Sequence, residues 1–98
     1  MTEWLVDNIL KQAMNEITAA RDYACIAKKV DSEQDAMKFI EMAKEELKHF
    51  DFDHAYLMVK LQSDMKSMDM FSKALHESYV GWADEVKHMV NNFKYVKH

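Results

Sequence analysis

From Val6 to Val30 the apolar positions recur every seven residues: Val6, Ile9, Ala13, Glu16, Ala20, Tyr23, Ala27 and Val30, in steps of three and four. That spacing runs one stripe along an α-helix built to pack lengthwise against others. Small side chains alternate along the stripe, so a neighbouring helix can approach closely, and Glu16 occupies a position where an apolar residue is expected. The first break is Asp31-Ser32-Glu33-Gln34-Asp35, with Ser32 placed as an N-cap and Asp35 as its acidic capping partner. A second helix follows with a core stripe of Ala36, Ile40, Ala43, Leu47, Phe50, His54, Leu57 and Leu61. Beside it runs a second stripe, Phe39, Met42, Glu46, His49, Asp53 and Tyr56, as expected of a helix with neighbours on more than one side. The pattern weakens between Gln62 and Asp69, where Ser67 or Asp69 can cap a third helix. Its apolar positions are Phe71, Leu75, Tyr79, Trp82, Val86, Met89, Phe93 and Val96, with Gly81 as the expected kink or segment end.

The elements predicted are therefore helix 1 over about 3–30, helix 2 over about 33–63 and helix 3 over about 69–96, all in one domain of 98 residues. At 1.5 Å per residue the first two would each be about 40 Å long, the proportion of a bundle. Composition agrees: no proline, one glycine, and many Ala, Leu, Met, Glu and Lys favour an all-α chain. A hairpin supplies two of a bundle's four members, and a chain this short often gains the missing burial from a second subunit.

The formal net charge of -4, with both signs interspersed, offers no basic patch for nucleic acid and no polybasic arm for a membrane. No apolar run reaches the length of a membrane span, and Met-Thr-Glu-Trp does not read as a secretory leader, so a cytoplasmic location is expected. The single cysteine, Cys25, reads as a small packed residue without a role. Met58, Met65, Met68 and Met70 gather near the junction before helix 3; thioethers can bind copper(I), but flexible gap-filling is the expected use.

A buried carboxylate needs a partner, a proton or a metal. In a hairpin closing near residues 31–34, Glu16 and Glu46 lie at nearly equal distances from the turn, with His49 one turn beyond Glu46. Two carboxylates and an imidazole suit iron, manganese or zinc. The ferritin-like di-iron pattern uses a Glu from each of two helices and a Glu-x-x-His from each of two others. This chain has one Glu and one such motif, half a site, which a two-fold axis would complete. A second Glu-x-x-His, Glu85 and His88, lacks a matching glutamate, since Ala55 stands thirty residues before Glu85, and reads as a solvated face. His54 reads as a hydrogen-bonded core histidine, Asp53 equally as a partner orienting His49 or as a partly exposed acid, and His76 and His98 carry no signal.

The joint spacing of Glu16, Tyr23 and Glu46-x-x-His49 resembles the encapsulated ferritin family and its ferritin-like di-iron relatives, without a gap from about Asn15 to Leu57 and more loosely from Asp69 to Val80. The resemblance implies an antiparallel helical hairpin plus a C-terminal helix, completing a four-helix bundle by homodimerisation. It implies that Glu16, Glu46 and His49 are metal ligands and that Tyr23 lies beside the metal as an outer ligand or redox-active neighbour. The implied activity is a ferroxidase that oxidises Fe(II) to Fe(III) with oxygen, using two irons per dimer, with manganese as the alternative metal. Dimers in that family also assemble into rings, and the encapsulated branch delivers iron to a surrounding encapsulin shell. Here Asn15 and Thr18 replace acidic accessory positions, and the ending NNFKYVKH contains no shell-targeting peptide. A rubrerythrin-like peroxide-consuming protein and a metal-free helical structural or interaction oligomer are the alternatives.

Overall fold

A computed structural model describes the backbone of residues 2–63 and 70–97 and the side chains of residues 4–59 and 77–97. Three helices form: α1 (Thr2–Ala27), α2 (Glu33–Ser63) and α3 (Met70–Asn91), with no strand among the described residues. The chain is all-α, and its extents of 52 × 18 × 15 Å are those of a rod.

The α1–α2 turn is closed by local chemistry. Lys29 N–H donates to the Ile26 carbonyl at 2.9 Å as α1 ends. The Ser32 hydroxyl accepts from Asp35 N–H at 3.1 Å, and the Ser32 carbonyl accepts from Ala36 N–H at 3.0 Å. Ser32 is thus the N-cap of α2, and Glu33 and Asp35 add negative charge where the helix dipole is positive.

The core between these helices is lined by small residues, with Ala13, Ala20, Ala24 and Ala27 facing Ala36 and Ala43 and larger Ile17, Ile40, Leu47, Phe50 and Leu57 filling the remaining space. One difference from the sequence pattern concerns α1. Ile9, Tyr23 and Val30 are only half-buried, while Leu10, Ile17 and Ala24, which the seven-residue stripe left out, are fully in the core. The cause is the third helix, which packs on that side of α1 and widens its buried arc.

α3 contributes Tyr79, Ala83, Val86 and Val90 to the core. Its flank is held by the Arg21 guanidinium 5.7 Å from the Trp82 ring, a 2.6 Å ion pair from Lys87 to Asp51, and the Lys87 ammonium 5.3 Å from the Phe50 ring. The helix runs unbroken through Gly81, so no segment ends there, and a methyl added there would meet no atom within 4 Å. It also ends at Asn91, short of residue 96. At this end the His88 carbonyl accepts twice, from Asn92 N–H at 3.0 Å and from the Asn92 side-chain amide at 2.8 Å, and Phe93 N–H then closes a tighter last turn onto the Val90 carbonyl at 3.3 Å. In the segment that follows, the Tyr95 hydroxyl donates to the Val30 carbonyl at the hairpin turn, at 3.2 Å.

Cys25 is exposed, a correction to its reading as a packed residue: Ala24 and Ala27 take the buried positions, and Cys25 falls about 100° around the helix from Ala24. Met65 and Met68, and the side chains of Leu61, Met70, Phe71, Leu75 and His76, lie outside the described residues, as do Ser67, Asp69 and His98.

Candidate functional site

With α3 covering one flank of the hairpin, helical periodicity turns the second stripe of α2 to the other. Phe39, Glu46, Asp53 and Tyr56 are half-buried there, while Met42 and His49 are exposed. α1 adds half-buried Ile9 and Tyr23 and exposed Ile26 to the same flank. Tyr23 and Phe39 bridge the two helices across it, ring centroids 6.3 Å apart. The stripe expected to be buried is therefore only partly covered within one chain.

Glu16 lies at the inner edge of this flank and is 5% exposed, the one acid among the buried described residues. Glu46 is close enough for its charge to act on Glu16, in agreement with their similar distances from the turn. The larger influence is Asp53. Its carboxyl stands opposite Glu16 across the α1–α2 interface and hydrogen-bonds it when one of the two holds a proton. Burial first, then this hydrogen bond and the Asp53 charge, and last the Glu46 charge push Glu16 up to about 8 from its usual 4.5. Near neutral pH the Glu16–Asp53 pair therefore favours holding one proton between its two carboxyl groups. Asp53 thus bears on Glu16 rather than on His49, the partner that adjacency along the stripe indicated.

His49 stands one turn from Glu46, with Nδ1 3.9 Å from Glu46 Oε1 and its side chain 60% exposed. His49 faces outward, while Glu46 is half-buried. Tyr23 is two turns along α1 from Glu16 and packs on Phe39. Among the described residues no three His, Cys, Asp or Glu side chains converge on one point.

Behind the carboxyl pair lies an aromatic cluster that sequence reasoning did not assemble. Tyr79 of α3 shares a 3.1 Å hydrogen bond with His54 Nδ1; Phe50 stacks on His54 with centroids 5.7 Å apart and meets Tyr79 edge-on at 5.5 Å. Burial, helped by the charge of Asp53, pushes the Tyr79 hydroxyl above its ordinary range. His54 is thus a hydrogen-bonded core residue, as read from its stripe. Glu85 and His88 are exposed on α3, and His88 Nδ1 pairs with the Asn92 amide at 3.2 Å. A shallow groove of about 190 Å³ lined by Lys44, Leu47, Lys48, Asp51, Lys87 and Asn91 lies between α2 and α3, apart from Glu16.

Compared with known proteins, the chain matches no family model, no curated protein and no solved structure. No helix among the described residues is long and apolar enough to cross a membrane.

Proposed function

We propose that the protein is a ferritin-like di-iron ferroxidase, oxidising Fe(II) to Fe(III) with oxygen at a site that two copies of the chain complete. The carrying observation is Glu16: a buried carboxyl on the α1 seam, under the charge of two further acids, Asp53 and Glu46, and without an ion pair to Lys, Arg or His among the described residues. Negative charge gathered this way is relieved either by protons or by a cation. The donors fit the metal: carboxylate oxygens with one imidazole suit iron(II) and manganese(II), and Oε2 of Glu16 is buried without a hydrogen-bond partner. Glu16, Glu46 and His49 would hold the metal, with Tyr23 on the same flank as an outer neighbour. The bound metal supplies the electron transfer to oxygen; the chain supplies charge, spacing and an apolar surround.

The outward-facing His49 and the partly covered flank support homodimerisation. Two hairpins meeting there about a two-fold axis would bring four glutamates and two histidines into one four-helix core. The exposed area of 6742 Å² exceeds the about 5,800 Å² usual for a compact monomer of 11.6 kDa by roughly one partner's share of a standard interface. The spacing from Glu16 through Tyr23 to Glu46 and His49 supports the resemblance to encapsulated ferritins and their relatives, whose rings of dimers are the next level of assembly.

A second reading is favoured by the proton on Glu16: a metal-free helical oligomer in which Glu16 and Asp53 simply share that proton. Metal analysis after anaerobic Fe(II) loading and desalting, with light-scattering mass, separates the two. About one iron per chain in an even-numbered oligomer, lost in His49→Ala, together with oxidase activity abolished by Glu46→Ala in a chain that stays helical, upholds the ferroxidase. No retained metal in the wild-type protein leaves the structural oligomer. Peroxide in place of oxygen as the faster oxidant would move the protein to the rubrerythrin-like alternative.

A further inference from the structure

The carboxyl pair beneath the open flank contains an acid that the ligand spacing did not include. Oε2 of Glu16 and Oδ2 of Asp53 are both buried, and neither has a hydrogen-bond partner as a carboxylate. A carboxylate oxygen only accepts, so two buried carboxyl groups close enough to hydrogen-bond one another are satisfied by a shared proton or by a shared cation. No ammonium, guanidinium or imidazole pairs with either acid among the described residues. The nearest imidazole along α2, His54, directs its Nδ1 to Tyr79 at 3.1 Å. The neighbourhood also restricts what can enter. Ala13, Ile17 and Phe50 are buried around this level of the hairpin, and Asp53 is half-buried with its Oδ2 inside.

We propose that Asp53 is itself a metal ligand, forming with Glu16 a two-carboxylate seat for one divalent, oxygen-preferring cation between α1 and α2. The proposal rests on the di-metal reading above and deepens it: each chain then contributes three carboxylates, Glu16, Glu46 and Asp53, to the metal region in place of two. Two facing carboxylates hold small hard cations such as manganese(II) and iron(II), whereas soft copper(I) finds no sulfur ligand in the pair. Asp53 also differs from His49 in position. His49 faces outward and needs the second copy to bring it to the metal, while Asp53 and Glu16 already meet within one chain. The pair would therefore take up a cation before the shared site is complete.

The test uses the full chain, freed of metal by a chelator and titrated with manganese(II), with free metal followed by its electron paramagnetic resonance signal. Asp53→Asn keeps the side-chain shape and lets its amide donate to Glu16, so the helices should hold, which circular dichroism checks. The expected result is manganese binding by the wild-type protein that weakens at least tenfold in Asp53→Asn and equally in Glu16→Gln. Wild-type affinity and stoichiometry in Asp53→Asn overturn the assignment of Asp53 and leave the Glu16, Glu46 and His49 site standing. Binding lost in Asp53→Asn but kept in His49→Ala and Glu46→Gln upholds the seat and removes the shared site. No manganese bound by the wild-type protein overturns both.

Discussion

Replacing Glu16 by Gln isolates what it costs to keep an acid inside the α1–α2 interface. The glutamine has nearly the same shape, and its amide can donate to Asp53 at every pH. In the native chain the acid is held at about 8 against a usual value of 4.5. Between those values the folded chain binds a proton that the unfolded chain has released, so stability falls as pH rises. The contribution is fully present below about 4.5 and is lost as pH climbs through about 8. At about 1.4 kcal/mol per unit the whole span is worth at most about 5 kcal/mol, and relaxation around Asp53 reduces it to roughly 2–4. That is a large part of the roughly 5–15 kcal/mol that holds a typical domain together. The assay is urea unfolding followed by circular dichroism, in chelator, at fixed subunit concentration and at four pH values from 5 to 8. Other groups titrate in both proteins, so the quantity read is the difference between wild type and Glu16→Gln. It should be near zero at pH 5 and should favour Glu16→Gln by about 2–4 kcal/mol at pH 8. Parallel curves, or a wild type that gains stability relative to the variant as pH rises, would refute the buried-proton account. With saturating manganese(II) the sign should reverse, because the cation binds the deprotonated pair and stabilises only a chain that can lose that proton.

Gly81→Ala should stabilise the protein by about 0.5–1 kcal/mol, because α3 is continuous there and the added methyl meets nothing; a loss of stability in the same urea assay would contradict an unbroken helix. Tyr79→Phe removes the hydroxyl from the 3.1 Å bond to His54 while keeping the edge-on contact with Phe50, and should cost about 0.5–1.5 kcal/mol. A change near zero for Tyr79→Phe would mean that the hydrogen bond adds nothing beyond ring packing.

Much of the architecture is legible along the chain because its causes are local. Helix-forming composition, a 3.6-residue apolar period and Ser32 before the acidic first turn of α2 each act over a few neighbouring residues. The relation of Glu16 to Glu46 is legible for a related reason: in a hairpin with a short turn, equal distance from the turn means equal height. Other features depend on how helices rotate about their axes and where a third one settles. Leu10, Ile17 and Ala24 enter the core because α3 covers that side of α1, which a stripe drawn for one neighbour cannot foresee. The Tyr79–His54 bond joins residues 25 positions apart on different helices. α3 stops at Asn91, where Phe93 N–H turns to the Val90 carbonyl instead of continuing the ladder, although the apolar period continues to Val96.

The carboxyl pair divides the two kinds of information most clearly. That Glu16 sits on an apolar seam, and therefore needs a proton, a partner or a metal, is determined by the sequence alone, since burial follows from the period. That Asp53 supplies the facing carboxyl is decided only by the tertiary structure. Along α2, Asp53 is one turn from His49 and reads as its companion; across the hairpin, the length and rotation of two side chains bring it to Glu16 instead. Helical period sets which residues share a face, but packing between helices chooses which of them touch.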